Sequence, residues 1–330
     1  MTAAGGGGAT GRRRGWRLAA WLAGGLLLAA VPLVVRNAFV HDVMILTLLW
    51  AAAASAWNIA GGYAGQISIG HAAFFGIGAY TSSILFVDLG VTPWLGMIVG
   101  AILAALFAVL ISVVCFRLRG PFFILATLAF AEVLRVLALN WRSLTRGSYG
   151  LEVTFRESAA NFMFAGKRPY TYLALLLAAG MVALVRGLER APLGYRLVAT
   201  REEEDAAEAM GIDTFRAKVI GMALSALLTA LAGSFYAQYF LFLEPGQIFS
   251  FEVSIQLPLI CVIGGIGTAV GPLLGALLIV PFSELLRAWL GGAASGLYLS
   301  VYALVLILVV LFMPDGLVGA LGRRAQEAAA

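Results

Sequence analysis

Charged residues are scarce in this chain. Of its 330 residues, 12% are charged and 62% are hydrophobic, whereas an ordinary globular domain has about 25% charged residues. The polar surface that a soluble protein of this length needs is therefore missing. This scarcity excludes a soluble domain and predicts an all-α, polytopic transmembrane helical bundle.

Cysteines are few, and a nucleotide-binding motif is missing. The chain has two cysteines, Cys115 and Cys261, each inside an apolar run, which is typical of small core residues rather than of a disulfide or a metal site. The glycine runs at 5–8 and 264–267 lack the Gly-Lys-Ser/Thr sequence that holds nucleotide phosphates. We therefore expect no metal site, no cofactor and no catalytic residue in this chain.

What the chain has instead is a series of long apolar runs, which predict about 8–10 membrane segments. The run at 252–263 would span only about 18 Å at 1.5 Å per residue, which is too short to cross alone. We therefore expect a broken or re-entrant helix near the middle of the membrane, interrupted at the glycines 264–267. The predicted segments are 18–35, 43–60, 65–87, 95–116, 121–139, 170–187, 218–241, 252–263, 270–288 and 297–313.

Basic residues orient these segments. Short clusters near residues 12–17, 117–119, 186–218 and 323–324 place both termini and the loop 187–217 in the cytoplasm. Because the clusters lie between apolar spans, the net charge of +5 does not indicate nucleic acid. The predicted organisation is a disordered basic tail at 1–17, a transmembrane domain at 18–320 and a cytoplasmic tail at 321–330. We interpret 18–35 as a retained first helix; a cleaved signal peptide is the alternative.

Two glycine-rich segments lie inside the predicted transmembrane domain. Glycine weakens a helix by roughly 1 kcal/mol relative to alanine, and polar groups in hydrocarbon need partners, so neither segment suits a lipid-facing helix. Both predict surfaces that line a path for a polar solute, and close helix–helix packing is the alternative. The candidate path residues are Gly61, Gly65, Gln66, Ser68 and His71 in the first segment, and Gly264, Gly265, Gly267 and Gly271 in the second.

The loop 187–217 contains a predicted helix of about ten residues. Thr200 and Glu203 have the spacing of an N-terminal capping box, and Gly211 suits a C-cap. The acidic residues 202–205 suit the positive end of the helix dipole. A small apolar face predicts that the helix enters a groove on another protein; a capped connector helix is the alternative. The residues of that face are Ala206, Ala207 and Met210.

Three long segments, taken together and in their order along the chain, and one short segment resemble one family. Asp205-Ala-Ala, followed after three residues by Gly211, resembles the EAA loop of ABC-transporter permeases, with aspartate in place of glutamate. With the glycine segments 61–80 and 262–276, and with the sequence Pro-Asp-Gly-Leu at 314–317, it makes residues 40–320 resemble the LivM-type permeases of branched-chain amino acid ABC importers.

The resemblance implies one subunit of a larger importer in a bacterial inner membrane. Such a permease pairs with a homologous LivH-type permease, and a periplasmic binding protein delivers the substrate. Two cytoplasmic ATPase subunits bind the EAA-like loops and hydrolyse ATP, so the permease itself is not an enzyme. Members assigned to urea, short amides or aromatic acids leave the substrate open. The implied ATPase-coupling residues are Glu203, Asp205, Ala206, Ala207, Met210 and Gly211.

Ionisable residues inside the spans define the main alternative, a proton-coupled secondary transporter. Glu132 is its first candidate, but Arg135 lies one turn further on and is expected to pair with it. His71 is the second candidate, for which we expect a hydrogen bond to a neighbouring helix instead. Ser68 lies three residues before His71, and this spacing alone does not predict a serine protease. The loop 140–169, the longest predicted external segment, suits either solvent or an external partner.

Overall fold

The computed structural model describes residues 32–34, 37–118 and 120–290, with short pieces between 300 and 320. The predicted tails 1–17 and 321–330 lie outside the described residues, as does nearly all of the predicted segment 18–35. The last predicted segment, 297–313, is described only in part.

The described part of the chain is almost entirely helical, as the composition predicts. Two strands of two residues each, β1 (Leu151–Glu152) and β2 (Phe242–Leu243), pair antiparallel. The helices are α1 (Ala38–Asn58), α2 (His71–Leu89), α3 (Pro93–Cys115), α4 (Pro121–Asn140), α5 (Arg142–Thr145), α6 (Lys167–Arg190), α7 (Pro192–Glu202), α8 (Glu204–Ala209), α9 (Thr214–Phe240), α10 (Pro245–Ile248), α11 (Phe251–Gly264) and α12 (Gly271–Leu290).

Eight helical segments in the described ranges are long and apolar enough to cross a membrane, within the predicted range of eight to ten. α1 continues through a π-helical turn, and α10 and α11 count together as one segment of 20 residues. The eight are Ala38–Tyr63, His71–Leu89, Pro93–Cys115, Pro121–Asn140, Lys167–Arg190, Thr214–Phe240, Pro245–Gly264 and Gly271–Leu290.

The helix break predicted at the second glycine segment is confirmed, because α11 ends at Gly264 and α12 begins at Gly271. The segment before the break is longer than the expected 12 residues, because helical structure already begins at Pro245. The break therefore follows a segment long enough to cross, and it does not need to lie in the middle of the membrane.

The helix after the first glycine segment begins later than predicted. It starts at His71 rather than at residue 65, because the chain leaves the helical path between 64 and 70. Gly65 adopts a left-handed conformation with φ +69°, which side chains with a Cβ rarely adopt. The glycines thus separate two helices within a few residues.

α1 lies at the centre of the bundle. Of the 18 consecutive residues that make its most apolar stretch, 83% are buried. The helix packs against α6, α9, α11 and α12. The run Ala51–Ala54 is fully buried, and its small side chains let neighbouring helices approach closely. α4 and α12 lie at the periphery, since only 22% of the most apolar 18-residue stretch is buried in each.

α2 and α9 cross in direct backbone contact. A Cβ at Gly78 would lie 2.1 Å from the carbonyl oxygen of Ala230, and one at Gly233 would lie 2.0 Å from that of Phe75. Ser234 donates a hydrogen bond of 2.8 Å from Oγ to the Gly78 carbonyl across the same contact. Glycine is therefore required on both helices by packing alone.

The loops gather at two opposite ends of the bundle. Lys167 forms an ion pair with Asp42 at one end of α1 and α6, and Tyr63 donates to Glu189 Oε1 at the other, at 2.5 Å. We call the second the 187–217 end, because it carries that loop. The first is the 140–169 end, where β1 in that loop pairs with β2.

Candidate functional site

The two glycine segments meet at the 187–217 end. A Cβ at Gly62 would lie 2.7 Å from the amide nitrogen of Gly267, so glycine at 62 makes room for the second segment. Within that segment, a Cβ at Gly264 would lie 1.8 Å from the Gly271 carbonyl oxygen. Gly265 and Gly267 both have positive φ, +122° and +71°, and they turn the chain from α11 into α12.

Asn58, near the end of α1, holds the second glycine segment in place. Its Nδ2 donates to the carbonyl of Thr268 at 2.9 Å, and its Oδ1 accepts from the amide of Gly267 at 2.9 Å. The side chain is fully buried, so the two hydrogen bonds satisfy amide groups of Asn58 that water does not reach. Asn58 was not among the residues predicted from sequence, although an amide side chain inside an alanine-rich helix is itself a signal.

Arg201, at the end of α7, connects the loop 187–217 to both glycine segments. Its Nη1 donates to the Gly62 carbonyl at 2.8 Å. A Cβ at Gly267 would lie 2.6 Å from Nη1, and one at Gly65 would lie 2.8 Å from Arg201 Cγ. The guanidinium also forms an ion pair with Glu202. No sequence pattern had singled out Arg201, which lies next to the residues predicted to bind a partner.

His71 is fully buried and bonded on both sides, as the sequence predicts for a histidine linked to a neighbouring helix. Nε2 lies 2.9 Å from Ser225 Oγ on α9, and Nδ1 lies 3.2 Å from Ser68 Oγ. Because Ser225 Oγ donates to the Ala56 carbonyl at 2.7 Å, it accepts from Nε2–H, which leaves Nδ1 as the acceptor from Ser68. A neutral imidazole therefore satisfies the whole network.

The candidate path residues differ in accessibility. Six are buried within the chain, and three reach its surface at the 187–217 end. The buried residues are Gly61, Ser68, His71, Gly264, Gly265 and Gly271, and the accessible ones are Gly65, Gln66 and Gly267. The close contacts described above at Gly264, Gly267 and His71 join parts of this chain to each other. The role of the nine residues in lining a path stays a prediction.

The helix in the loop 187–217 is divided differently from the prediction. Thr200 is not an N-cap; it lies inside α7, and its hydroxyl donates to the Arg196 carbonyl at 2.8 Å. The cause is Pro192, which starts the helix at its first position and carries it through Thr200. Glu203 is extended, at φ −156° and ψ 106°, and is itself the N-cap residue of the shorter helix α8.

α8 is anchored on one side and exposed on the other. Glu204 pairs with the buried Lys218 of α9, and Thr214 donates to Glu208 at 2.5 Å. Gly211, with φ +84°, follows the C-cap Met210, as the predicted C-terminal glycine should. Of the three predicted apolar residues, Ala207 is buried against the chain, whereas Ala206 and Met210 are exposed, Met210 to 84%.

A groove of about 480 Å³ opens beside α8 at the 187–217 end. It brings the first glycine segment together with the acidic start of α8 and with the turn between α3 and α4. Lys218 lies in its wall, 5.6 Å from the centre of the Phe116 ring. The residues that line it include Gly65, Gln66, Phe116, Glu203, Glu204, Asp205 and Lys218.

The ion pair predicted in α4 is confirmed. Arg135 donates to Glu132 through Nε, at 2.8 Å, and through Nη2, at 2.5 Å. Within the described residues, no group of three or more His, Cys, Asp or Glu side chains has the arrangement of a metal site. Cys115 and Cys261 are free and buried.

The comparisons with known proteins agree with this arrangement. The profile of the family described as branched-chain amino acid transport system / permease component matches residues 39–313. The chain belongs to this family. The match takes in all eight described membrane segments except the first residue of α1, and it makes the chain a multi-pass permease component and not an enzyme in itself.

Individual relatives of this permease are similar over most of their length. The high-affinity branched-chain amino acid transport system permease protein LivM of Escherichia coli K12 is 30% identical, covering 88% of this chain and 72% of the relative. LivH of Salmonella typhimurium is 27% identical, covering 82% and 91%. The nucleoside ABC transporter permease protein NupC of Lactococcus lactis is 25% identical, covering 76% and 84%. No solved structure gives a significant match.

Proposed function

We propose that this permease is the LivM-type subunit of an ABC importer for branched-chain amino acids. Its partners are a homologous LivH-type permease, two cytoplasmic ATPase subunits and a periplasmic binding protein. The complex lies in a bacterial inner membrane, with both termini and the 187–217 end in the cytoplasm. Support comes from the family and from relatives named as LivM and LivH, two permease components of the same kind of system.

The observation that carries the coupling mechanism is the contact of Arg201 with both glycine segments. α8 presents Ala206 and Met210 to the ATPase, and Arg201, three residues before Glu204, reaches Gly62 and lies beside Gly267. A displacement of α8 is therefore transmitted to the end of α1 and to the turn between α11 and α12. The pair Glu204–Lys218 transmits it to α9 as well. ATP-driven closure of the partners thereby tilts the spans and alternates access.

ATP rather than a proton gradient drives this cycle. Glu132 is engaged by two donors of Arg135, and His71 is bonded on both ring nitrogens, so neither is an isolated proton carrier. For the cargo, branched-chain amino acids are favoured by the names of the LivM and LivH relatives. NupC, a nucleoside permease of lower identity, defines one alternative cargo, and the urea, amide and aromatic-acid members implied by the sequence resemblance define the others.

Co-purification of the ATPases tests the proposal. Met210→Asp places a charge on the exposed face of α8 without disturbing a packed contact, so we expect the ATPases to detach and leucine uptake to stop. Tyr149→Asp is the matched control, since Tyr149 is 81% exposed but lies at the 140–169 end; it should keep both. Retention of the ATPases by the Met210 variant would remove α8 as their docking site. Uptake that needs a proton gradient and no ATPase would contradict the importer itself.

A further inference from the structure

An ion pair lies near the middle of a membrane span. Glu132 is the twelfth of the 20 residues of α4, which places it about 17 Å from Pro121 and about 12 Å from Asn140 at 1.5 Å per residue. The hydrocarbon core of a bilayer is about 30 Å thick. Glu132 therefore lies near the depth where hydration by either membrane surface is weakest, and Arg135 lies one turn nearer to Asn140, about 8 Å from it.

The pair faces outward from the described part of the chain. The side chains of Glu132 and Arg135 are 53% and 31% exposed. Glu132 lies on the side of α4 away from the buried Phe123 and Thr127, whereas Arg135, one turn from the buried Ala131 and Ala138, lies at the edge of the buried face. Charged side chains at this depth almost always face the interior of a bundle or a water-filled cavity rather than lipid. Something other than lipid must therefore cover this face of α4.

We propose that the Glu132–Arg135 face of α4 lines the translocation path against the second permease subunit and binds the cargo as a zwitterion. This inference rests on the proposed importer. The cover is assigned to the partner permease because α4 is among the least buried of the described spans, and a path between two permeases needs an outward face of this kind. α3 contrasts with it, since its exposed side chains, from Trp94 to Val114, are all apolar and suit lipid.

The chemistry of the pair suits an amino acid with an apolar side chain. Arg135 uses two of its five N–H donors on Glu132 and keeps the others for a carboxylate. Glu132 keeps lone pairs for an ammonium group. The neighbouring exposed residues Leu125, Val133 and Val136 offer an apolar surface. Because the pair is neutral overall and already self-satisfied, it binds a zwitterion weakly enough to release it, as a transit site must.

Thiol labelling of a neighbouring position tests the location. Ala129 is exposed and lies one turn before Glu132. The variant Ala129→Cys is made in cells that also carry the partner subunits. A membrane-impermeant, hydrophilic thiol reagent should label it in membranes opened on both sides, and leucine should protect it. Leu106→Cys, exposed near the middle of α3, is the matched control and should stay unlabelled. The two native cysteines are buried, so background labelling is low. An inert Ala129→Cys overturns the inference, whether or not the complex hydrolyses ATP.

The ligand class is tested by competition in the same assay. Leucine should protect Ala129→Cys, leucinamide, which lacks the carboxylate, should protect less, and uridine should not protect. Protection by uridine instead of leucine would overturn the zwitterion assignment. These results depend only on labelling, and they therefore separate a failure of this site from a failure of ATPase docking.

Replacing the pair separates transport from structure. In the double variant Glu132→Leu and Arg135→Leu, apolar residues replace a paired charge, which a merely structural or lipid-facing position tolerates. We expect the variant to retain the ATPases but to lose leucine uptake roughly tenfold or more, because a charge-assisted contact with the cargo is gone. Uptake at the wild-type rate would overturn the proposal.

Discussion

At Arg201 one long cationic side chain crosses from a loop to the ends of two membrane segments. The Gly62 carbonyl that it contacts lies in the last, π-helical turn after α1, where carbonyl groups lack helical partners and carry partial negative charge. Glycines at 65 and 267 leave the space that the guanidinium and its stem occupy. Charge and space together make this position specific for arginine.

Arg201→Ala should uncouple ATP hydrolysis from transport. The exposed face of α8 is unchanged in this variant, so the ATPases should still bind. The lost charge-assisted hydrogen bond is worth about 1.5–3 kcal/mol, so leucine imported per ATP hydrolysed should fall roughly tenfold or more. Arg201→Lys should be intermediate, because lysine lacks the forked donors. The measurement is paired uptake and ATPase activity in proteoliposomes.

Arg196→Ala is the control for this prediction. Arg196 lies on the same helix, α7, and its side chain is exposed, so its removal should leave the ratio of uptake to hydrolysis unchanged. Equal ratios for the Arg201 and Arg196 variants would show that the Gly62 contact carries no coupling.

Sequence could predict some single residues and not others. The bond from His71 to a neighbouring helix and the Glu132–Arg135 pair were predictable, because burial and a one-turn spacing are properties of local sequence. Arg201 and Asn58 were not, because their partners lie far away: Gly62 is 139 positions from Arg201, and Thr268 is 210 from Asn58. Which distant backbone groups meet is decided by how the helices pack.

At the scale of elements, hydrophobic runs located all eight described spans, although the run 252–263 underestimated the length of its span. The N-terminal capping signal at Thr200 misled. The prediction at Thr200 failed because two helix starts compete within a few residues. Pro192 occupies a first helical position and fixes φ, so the earlier start prevails. The break then falls at Glu203, where the ion pair Glu204–Lys218 holds α8 against α9. That tertiary contact is absent from the local pattern.

The same substitution, glycine to alanine, should have opposite effects on stability at Gly78, in the crossing of α2 and α9, and at Gly180 of α6. Gly78→Ala pushes a methyl group to 2.1 Å from the Ala230 carbonyl, and overpacking of this kind destabilises by about 1–3 kcal/mol. At Gly180 of α6 no atom lies within 4 Å of the added methyl group. Gly180→Ala should therefore stabilise by up to about 1 kcal/mol through helix propensity.

Thermal unfolding in detergent measures both variants against the wild type. The expected order of melting temperature is Gly180→Ala, wild type, Gly78→Ala. If both substitutions raised the melting temperature, α2 and α9 would not be in backbone contact, and the short Gly78–Ala230 distance would be disproved.

At the scale of the whole molecule, the two ends of the bundle differ in the elements that they carry. The 187–217 end collects the glycine segments, Arg201 and α8, the elements that the proposed coupling moves. The 140–169 end is fastened by contacts across loops: Arg146 pairs with Asp88 at 2.8 Å, and Trp94 Nε1 donates to the Ala159 carbonyl at 2.9 Å. In the proposed rocking motion of the spans, the 187–217 end moves while these contacts hold the 140–169 end in place.

The proposed docking of cytoplasmic ATPases on α8 predicts the topology, because it requires the 187–217 end to lie on the cytoplasmic side. Met210→Cys and Tyr149→Cys place equally exposed thiols at opposite ends, while the native cysteines stay buried. In intact cells whose outer barrier is opened, an impermeant maleimide should label Tyr149→Cys at once. Met210→Cys should react only after the inner membrane is permeabilised. The reverse pattern would place α8 outside and remove the route by which ATP hydrolysis reaches Arg201. Because both thiols lie outside the spans, the result depends on orientation and not on local packing.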